Sequence, residues 1–226
     1  MKHVVIIRLK YPKDSPKWDW RIAFFKAMVM PFWERQTDKN FDLWVMCNDW
    51  HVEEVKAISP LIYTFNTQAN VKGDPDFTKK YGEGGSVQPH ECDYFNHYDI
   101  QTRVDSDEIP NYDFVETIHK YMNCIPCLLS FKRIRFHVPT MRAYKIENPG
   151  IPDYHAMSSV LSLHWPGEYI YQMGHKYWAR HVVKHHGQVK VIDFGHVYCG
   201  SAWDNADARL RSSDVPATQT YFNRRK

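Results

Sequence analysis

The stretch HVVIIRL, residues 3–9, sets four β-branched residues in a row, Val4 to Ile7, before a single arginine. A run apolar at consecutive positions has no face to give to water, so it predicts a strand buried on both sides of a sheet. FDLWVMCND (41–49) repeats the pattern, LIYTFN (61–66) is a shorter version, and YDIQTRV (98–104), an apolar, β-branched lead-in, reads as a further strand. Between them, WDWRIAFFKAMVMPFWERQ (18–36) and VEEVKAIS (52–59) carry apolar residues at helical spacing, with Pro31 the expected break or kink. Strands alternating with helices predict an α/β fold, a mostly parallel sheet with helices on both faces, and such sheets bind ligands beyond the carboxyl ends of their strands. That rule puts Arg8, Asn48 and Asp49 on one edge.

The second half is less regular. NYDFVETIHKYM (111–122) reads as a helix, and PCLLSFKRIRFHV (126–138) with TMRAYKI (140–146) as two antiparallel strands. PGIPDYHAMSSVLSLHW (149–165) predicts a turn and a short helix, YIYQMGHKYWARHVVKHHG (169–187) a histidine-rich helix, and VKVIDF (189–194) a last strand. Residues 68–96 are polar and rich in turn formers, so a long loop is expected, either a lid or an insertion. The expected organisation is one domain over 1–203, divided into a ligand-binding half (1–110) and an acceptor-side half (111–203), with 204–226 as a polar tail or linker.

Composition narrows the classes. No stretch approaches the ~20 apolar residues of a membrane span. The apolar run at the start is cut by Arg8 and has no small-residue cleavage site after it, so it is expected to be a strand and not a signal peptide. Five irregularly spaced cysteines argue against a disulfide framework and for a reducing, cytoplasmic setting. Cys124 and Cys127 form a C-x-x-C without a second pair, which reads as two structural thiols. A net charge of +3 is too small to argue for nucleic-acid binding, and FKRIRF reads as one exposed sheet face more than a recognition helix.

The feature that needs explaining is IQTRVDSDEIP (100–110), where Asp105, Asp107 and Glu108 crowd the end of a buried strand. Like charges that close raise one another's pKa, so the cluster needs open solvent or a cation. A solvated turn is the plain alternative. Two aspartates at i and i+2 beyond a strand can present oxygens to one hard cation that keeps positions for phosphates. Ile109 and Pro110 stand where a calcium loop needs a further ligand and a glycine, which excludes an EF-hand.

VVIIRL, FDLWVMCND and IQTRVDSDE, in that order, resemble the nucleotide-sugar-binding half of GT-A glycosyltransferases. TRVDSDE with the upstream WDWR and PFWERQ is similar to rhamnosyltransferases and to the glycosyltransferase domain that chloroviruses use on capsid glycans. The resemblance covers roughly 3–120 well and the remainder loosely. It implies a GT-A fold with a Rossmann-like half and a smaller antiparallel acceptor side, a UDP-sugar donor, Mn2+ or Mg2+, and a glycan or glycoprotein acceptor. It further implies transfer of a rhamnose or glucose-type sugar in the cytoplasm, the host's if the protein is viral. Asp105 is then the first aspartate of a D-x-D pair, facing ribose or metal, and Asp107 the direct metal ligand. Arg8 and Asp49 fall where such enzymes contact base and ribose, and Arg103 pairs with a carboxylate or the diphosphate.

Such enzymes complete the metal shell with a histidine, and His175, His181, His185, His186 and His196 are all candidates. His175 is preferred because Gly174 allows a close approach. Asp153 is the candidate base of an inverting reaction. Trp165, Tyr169, Tyr171, Tyr177 and Trp178 either stack on sugars or belong to the core. The expected variant Asp107→Ala loses metal-dependent donor binding with its fold intact. Two alternatives stand beside this reading. His181 and His185 have the spacing of a helical zinc pair, which suggests a zinc hydrolase, although Val182 occupies the place of the H-E-x-x-H glutamate. A non-catalytic sugar- or nucleotide-binding module needs the aromatic surface but not the aspartate pair.

Overall fold

The structure is a computed structural model that describes residues 1–66, 95–137, 142–145, 160–172, 174–193, 195–201 and 215–216. The expected loop at 68–96 lies outside the described residues except for its last two, and the candidate base Asp153 lies outside them altogether.

The apolar runs form the expected strands: β1 (His3–Arg8), β2 (Asp42–Cys47), β3 (Ile62–Asn66) and β4 (Ile100–Asp105). β1 pairs in parallel with both β2 and β4, and β2 with β3. After β4 come β5 (Glu108–Pro110), β6 (Cys127–Phe131), β7 (Ile134–His137), β8 (Arg142–Lys145), β9 (Leu161–His164), β10 (Gln188–Ile192), β11 (Val197–Ser201) and β12 (Val215–Pro216). Among the described residues, one sheet has seven strands in the order β10-β6-β9-β4-β1-β2-β3, and a second has five in the order β12-β8-β7-β11-β5. In the first sheet only β9 runs antiparallel to its neighbours, β4 and β6.

Alternation along β1 explains why both faces are covered. Val5, Ile7 and Leu9 pack on one side with Phe25, Val29 and Trp33, while Val4 and Ile6 pack on the other with Leu161, Tyr169 and Trp178. Helices α1 (Trp18–Phe24), α2 (Met30–Glu34), α3 (Val52–Lys56) and α4 (Phe114–Tyr121) supply the first layer, and α5 (His175–Lys184) belongs to the second.

Pro31 acts differently from a simple break. The helix widens into a π turn over Phe25–Val29, where the Met30 N–H reaches back to the Phe25 carbonyl, and α2 then starts with proline in its first turn. Proline has no N–H to give, so it is tolerated there. The expected short helix before Trp165 is corrected over its described part: LSLH forms β9, because Leu161 and Leu163 alternate with Ser162 in a strand buried on both faces. The expected pair of antiparallel strands also divides differently. β6 joins the first sheet, while β7 and β8 pair antiparallel in the second. The histidine-rich helix is shorter than expected and begins at His175.

A polar chain, buried at His3 and Thr102 and partly exposed at His119 and Asp38, ties β1 to its surroundings at the end of the sheet away from Asp105. His3 Nδ1 meets His119 Nε2 at 3.1 Å, His3 Nε2 meets Thr102 Oγ1 at 2.8 Å, and His119 Nδ1 meets Asp38 Oδ2 at 2.7 Å. Burial lowers the His3 pKa to about 3, helped by the neighbouring His119 and opposed by Asp38. The unfolded chain therefore takes up a proton on His3 below its ordinary pKa of about 6.5 while the fold refuses it. Stability carried by neutral His3 is full above about 6.5 and is lost as pH falls toward 3. Urea unfolding of His3→Gln and the parent at several pH values checks this: the parent should lose up to about 1.4 kcal/mol per pH unit more on acidification. Parallel pH dependences of the two proteins would contradict the assignment.

Candidate functional site

The acidic cluster lies where the chain passes from one sheet to the other. Asp105 ends β4, Ser106 and Asp107 make the turn, and Glu108 opens β5. Register sets Arg8 directly beside Asp105. Asp49 follows the end of β2 on the same edge, exposed, at the start of a single 3-10 turn. Arg103 stands two residues before Asp105, on the same face of β4. Arg8, Asp49, Arg103, Asp105 and Asp107 are thus brought to one edge, at the carboxyl ends of β1, β2 and β4.

Each carboxylate has a different environment. Asp107 is 8% exposed, and its Oδ2 lies 3.4 Å from a guanidinium nitrogen of Arg21, which is itself 5% exposed. Arg21 also donates from Nε to the Tyr11 hydroxyl at 2.9 Å. Burial raises the Asp107 pKa, Arg21 pulls it back, and Asp105 pushes it further up. Glu108 is 1% exposed and is ion-paired and hydrogen-bonded to Arg133. Asp105 is half-buried and has no ion pair among the described residues.

Burial lifts Glu108 to about 7 against the pull of Arg133. Its folded pKa lies above its unfolded one, so the stability linked to its proton is full below about 4.5 and is lost as pH rises through 7. Glu108→Gln should therefore gain on the parent between pH 5 and 7, by on the order of 2–3 kcal/mol. Unfolding curves at both pH values test this, and a difference independent of pH would contradict it. The limb has the opposite sign to that of His3.

Arg103 is 8% exposed, with the Tyr171 ring 4.5 Å from its guanidinium carbon. The Tyr171 hydroxyl donates to the Ile6 carbonyl at 3.2 Å. Arg103 Nε has no hydrogen-bond partner among the described residues. Asn48, 6% exposed at the end of β2, likewise keeps its Oδ1 without one. Buried polar groups ordinarily carry a hydrogen bond, so both are candidate contacts for a ligand. Tyr169, Tyr171 and Trp178 are core residues, whereas Tyr177 is 54% exposed.

The histidines separate by position. Helix α5 packs on β6 and β10 and turns directly into β10, so it runs antiparallel to the parallel strands. Its amino end, Gly174 and His175, points toward the edge that holds Asp105. His185, ten residues on, is about 15 Å away along the helix, at the opposite end of the sheet. The zinc-hydrolase alternative thus finds its histidine pair far from the acidic cluster. His196 contacts Asp113 at 3.3 Å and Thr117 at 3.4 Å. Burial pushes the Cys127 thiol up to about 12, which fits a structural role and not a nucleophile.

Among the described residues no three His, Cys, Asp or Glu side chains stand close enough to enclose a metal ion. The chemistry of the donor pair still fits a hard cation: two carboxylates supply oxygen, and water with substrate phosphate completes the shell, as suits Mg2+. Arg21, in WDWR, and Arg133, in FKRIRF, are the cations that answer the acidic cluster, a role their local sequence does not show. The only signal in the sequence was arginine beside aromatic residues.

No family model matches the sequence, and no curated protein matches it. Solved structures do. TarS 1-349 of S. aureus aligns with TM-score 0.50 at 12% identity, over 89% of this chain and 61% of that one. The same protein in complex with UDP gives 0.51 at 12% identity, over 88% and 60%. Mouse xyloside xylosyltransferase 1, in its apo form, gives 0.53 at 10% identity, over 93% of this chain and 100% of that one. This chain therefore spans about three-fifths of TarS 1-349. At these identities the likeness is one of architecture: a seven-stranded, mostly parallel sheet with helices on both faces, the fold of GT-A glycosyltransferases.

Proposed function

We propose that this chain is a metal-dependent glycosyltransferase that moves a sugar from a UDP-sugar to a hydroxyl of a glycan or glycoprotein. The observation that carries the reading is the edge itself: Asp105 without an ion pair among the described residues, Arg8 beside it, and the buried guanidinium of Arg103 two residues before. A diphosphate needs cationic and hydrogen-bonding partners where it leaves, and a cation needs carboxylates. The UDP complex of TarS, a protein of the same architecture, supports the choice of nucleotide.

In this reading Asp105 and Asp107 hold Mn2+ or Mg2+, with His175 as a further ligand. The cation, when bound, neutralises the charge that develops on the departing diphosphate. Arg103 pairs with that diphosphate, while Arg8 and Asp49 orient the nucleoside. Arg21 and Arg133 offset the charge of Asp107 and Glu108 and keep both carboxylates in place. Asp153 takes the proton of the acceptor hydroxyl as it attacks the anomeric carbon. The sequence likeness to rhamnosyltransferases and to the chlorovirus domain favours a rhamnose or glucose-type donor and a viral capsid glycan as acceptor, with the reaction in the cytoplasm. Among the described residues no helix is long and apolar enough to cross a membrane.

The test is a donor screen with Mn2+, reading UDP release with and without added glycan acceptors. Release from one UDP-sugar that Asp105→Asn abolishes is expected. The reading fails if no donor is turned over while UDP itself binds, which would favour the binding module.

A further inference from the structure

At the end of the first sheet opposite Asp105, three aromatic groups converge without a role in the proposed reaction. His181 and His185 lie one turn apart near the end of α5, with ring centroids 4.8 Å apart. The Trp165 ring stacks on His181 at 5.3 Å and meets His185 edge-on at 5.2 Å. His181 Nε2 is buried and has no hydrogen-bond partner among the described residues, while His185 is exposed. A buried ring nitrogen without a partner is costly, and a bound ion or water is what ordinarily satisfies such a group. The carboxyl end of a helix also favours positive charge, because its last carbonyls point outward.

We propose that His181 and His185 form a binding site for a borderline transition-metal ion such as Zn2+ or Co2+, with Trp165 as its wall. Imidazoles at i and i+4 project from one helix face and can share one ion, and imidazole suits these metals better than it suits Mg2+ or Ca2+. Two protein ligands leave positions for water or for a donor from another molecule. Val182 stands where a hydrolytic site has its glutamate base, so the site binds metal without supplying hydrolysis. It is independent of the cation proposed at Asp105 and Asp107, which has oxygen ligands at the other end of the sheet.

Trp165 makes the test direct. Co2+ alone is titrated into the full chain while indole emission is followed in the parent, Trp165→Phe, His185→Ala and Asp105→Asn proteins, each first checked for an unchanged unfolding temperature. The expected result is saturable quenching in the parent and in Asp105→Asn, loss of that component in Trp165→Phe, and affinity weaker by about tenfold or more in His185→Ala. Changes behind metal ligands alone cost about 10–100-fold, so removal of a ligand should cost no less. Quenching unchanged in His185→Ala, or absent in the parent, or lost only in Asp105→Asn, would overturn the proposal. His185 is exposed and so its replacement tests the site without opening the core.

Discussion

Asp107→Ala should cost the fold about 3–5 kcal/mol, because it removes the carboxylate opposite a guanidinium that is 5% exposed. For a chain of this length that lowers the unfolding temperature by roughly 6–20 °C. The expectation from sequence, loss of donor binding with the fold intact, is thereby revised: the variant tests stability and binding together. Asp107→Asn keeps the shape and a hydrogen-bond acceptor but not the charge, so it should fall between parent and Ala. Thermal unfolding of the two variants settles the point, and an Ala variant as stable as the parent would mean that the Arg21 pair contributes nothing.

Asp105→Asn is the cleaner probe of ligand binding. Asp105 is half-buried, has no ion pair among the described residues, and lies between Arg8 by register and Arg103 along its own strand. Its replacement should leave the unfolding temperature within about 2 °C, since changes away from core and paired charges shift stability by only about 0.5 kcal/mol. Metal-supported UDP affinity should fall about 100-fold or more, equivalent to about 2.8 kcal/mol. Parent-like affinity in this variant would remove Asp105 from the cation site.

How far the sequence could be read depended on whether a signal was local. β1 and β2 announce themselves because a run of consecutive apolar residues admits few other readings, and β4 because its β-branched Ile100, Thr102 and Val104 alternate with polar residues. β9 was missed because four residues, LSLH, have too short a period to separate from the preceding helix-like text, and only its two neighbours in space make it a strand. β5 is three residues long and exists because β11 pairs with it. In the site, Asp105 and Arg8 were legible as strand ends, since parallel pairing aligns such ends without further information. Arg21 and Arg133 were not, because their partners lie 86 and 25 positions away in sequence, and no periodicity encodes a contact between a helix or loop and a distant turn or strand.

In the proposed reaction the Asp105 edge binds a nucleoside diphosphate with a divalent cation. Calorimetric titration of UDP into the intact protein, with Mn2+ and again with excess chelator, tests it most directly. Micromolar binding with Mn2+, about 8 kcal/mol, is expected, weakening at least tenfold on chelation and lost in Asp105→Asn. Absence of heat in both conditions, or binding that ignores both the chelator and the substitution, would contradict it and return the acidic cluster to a solvated turn.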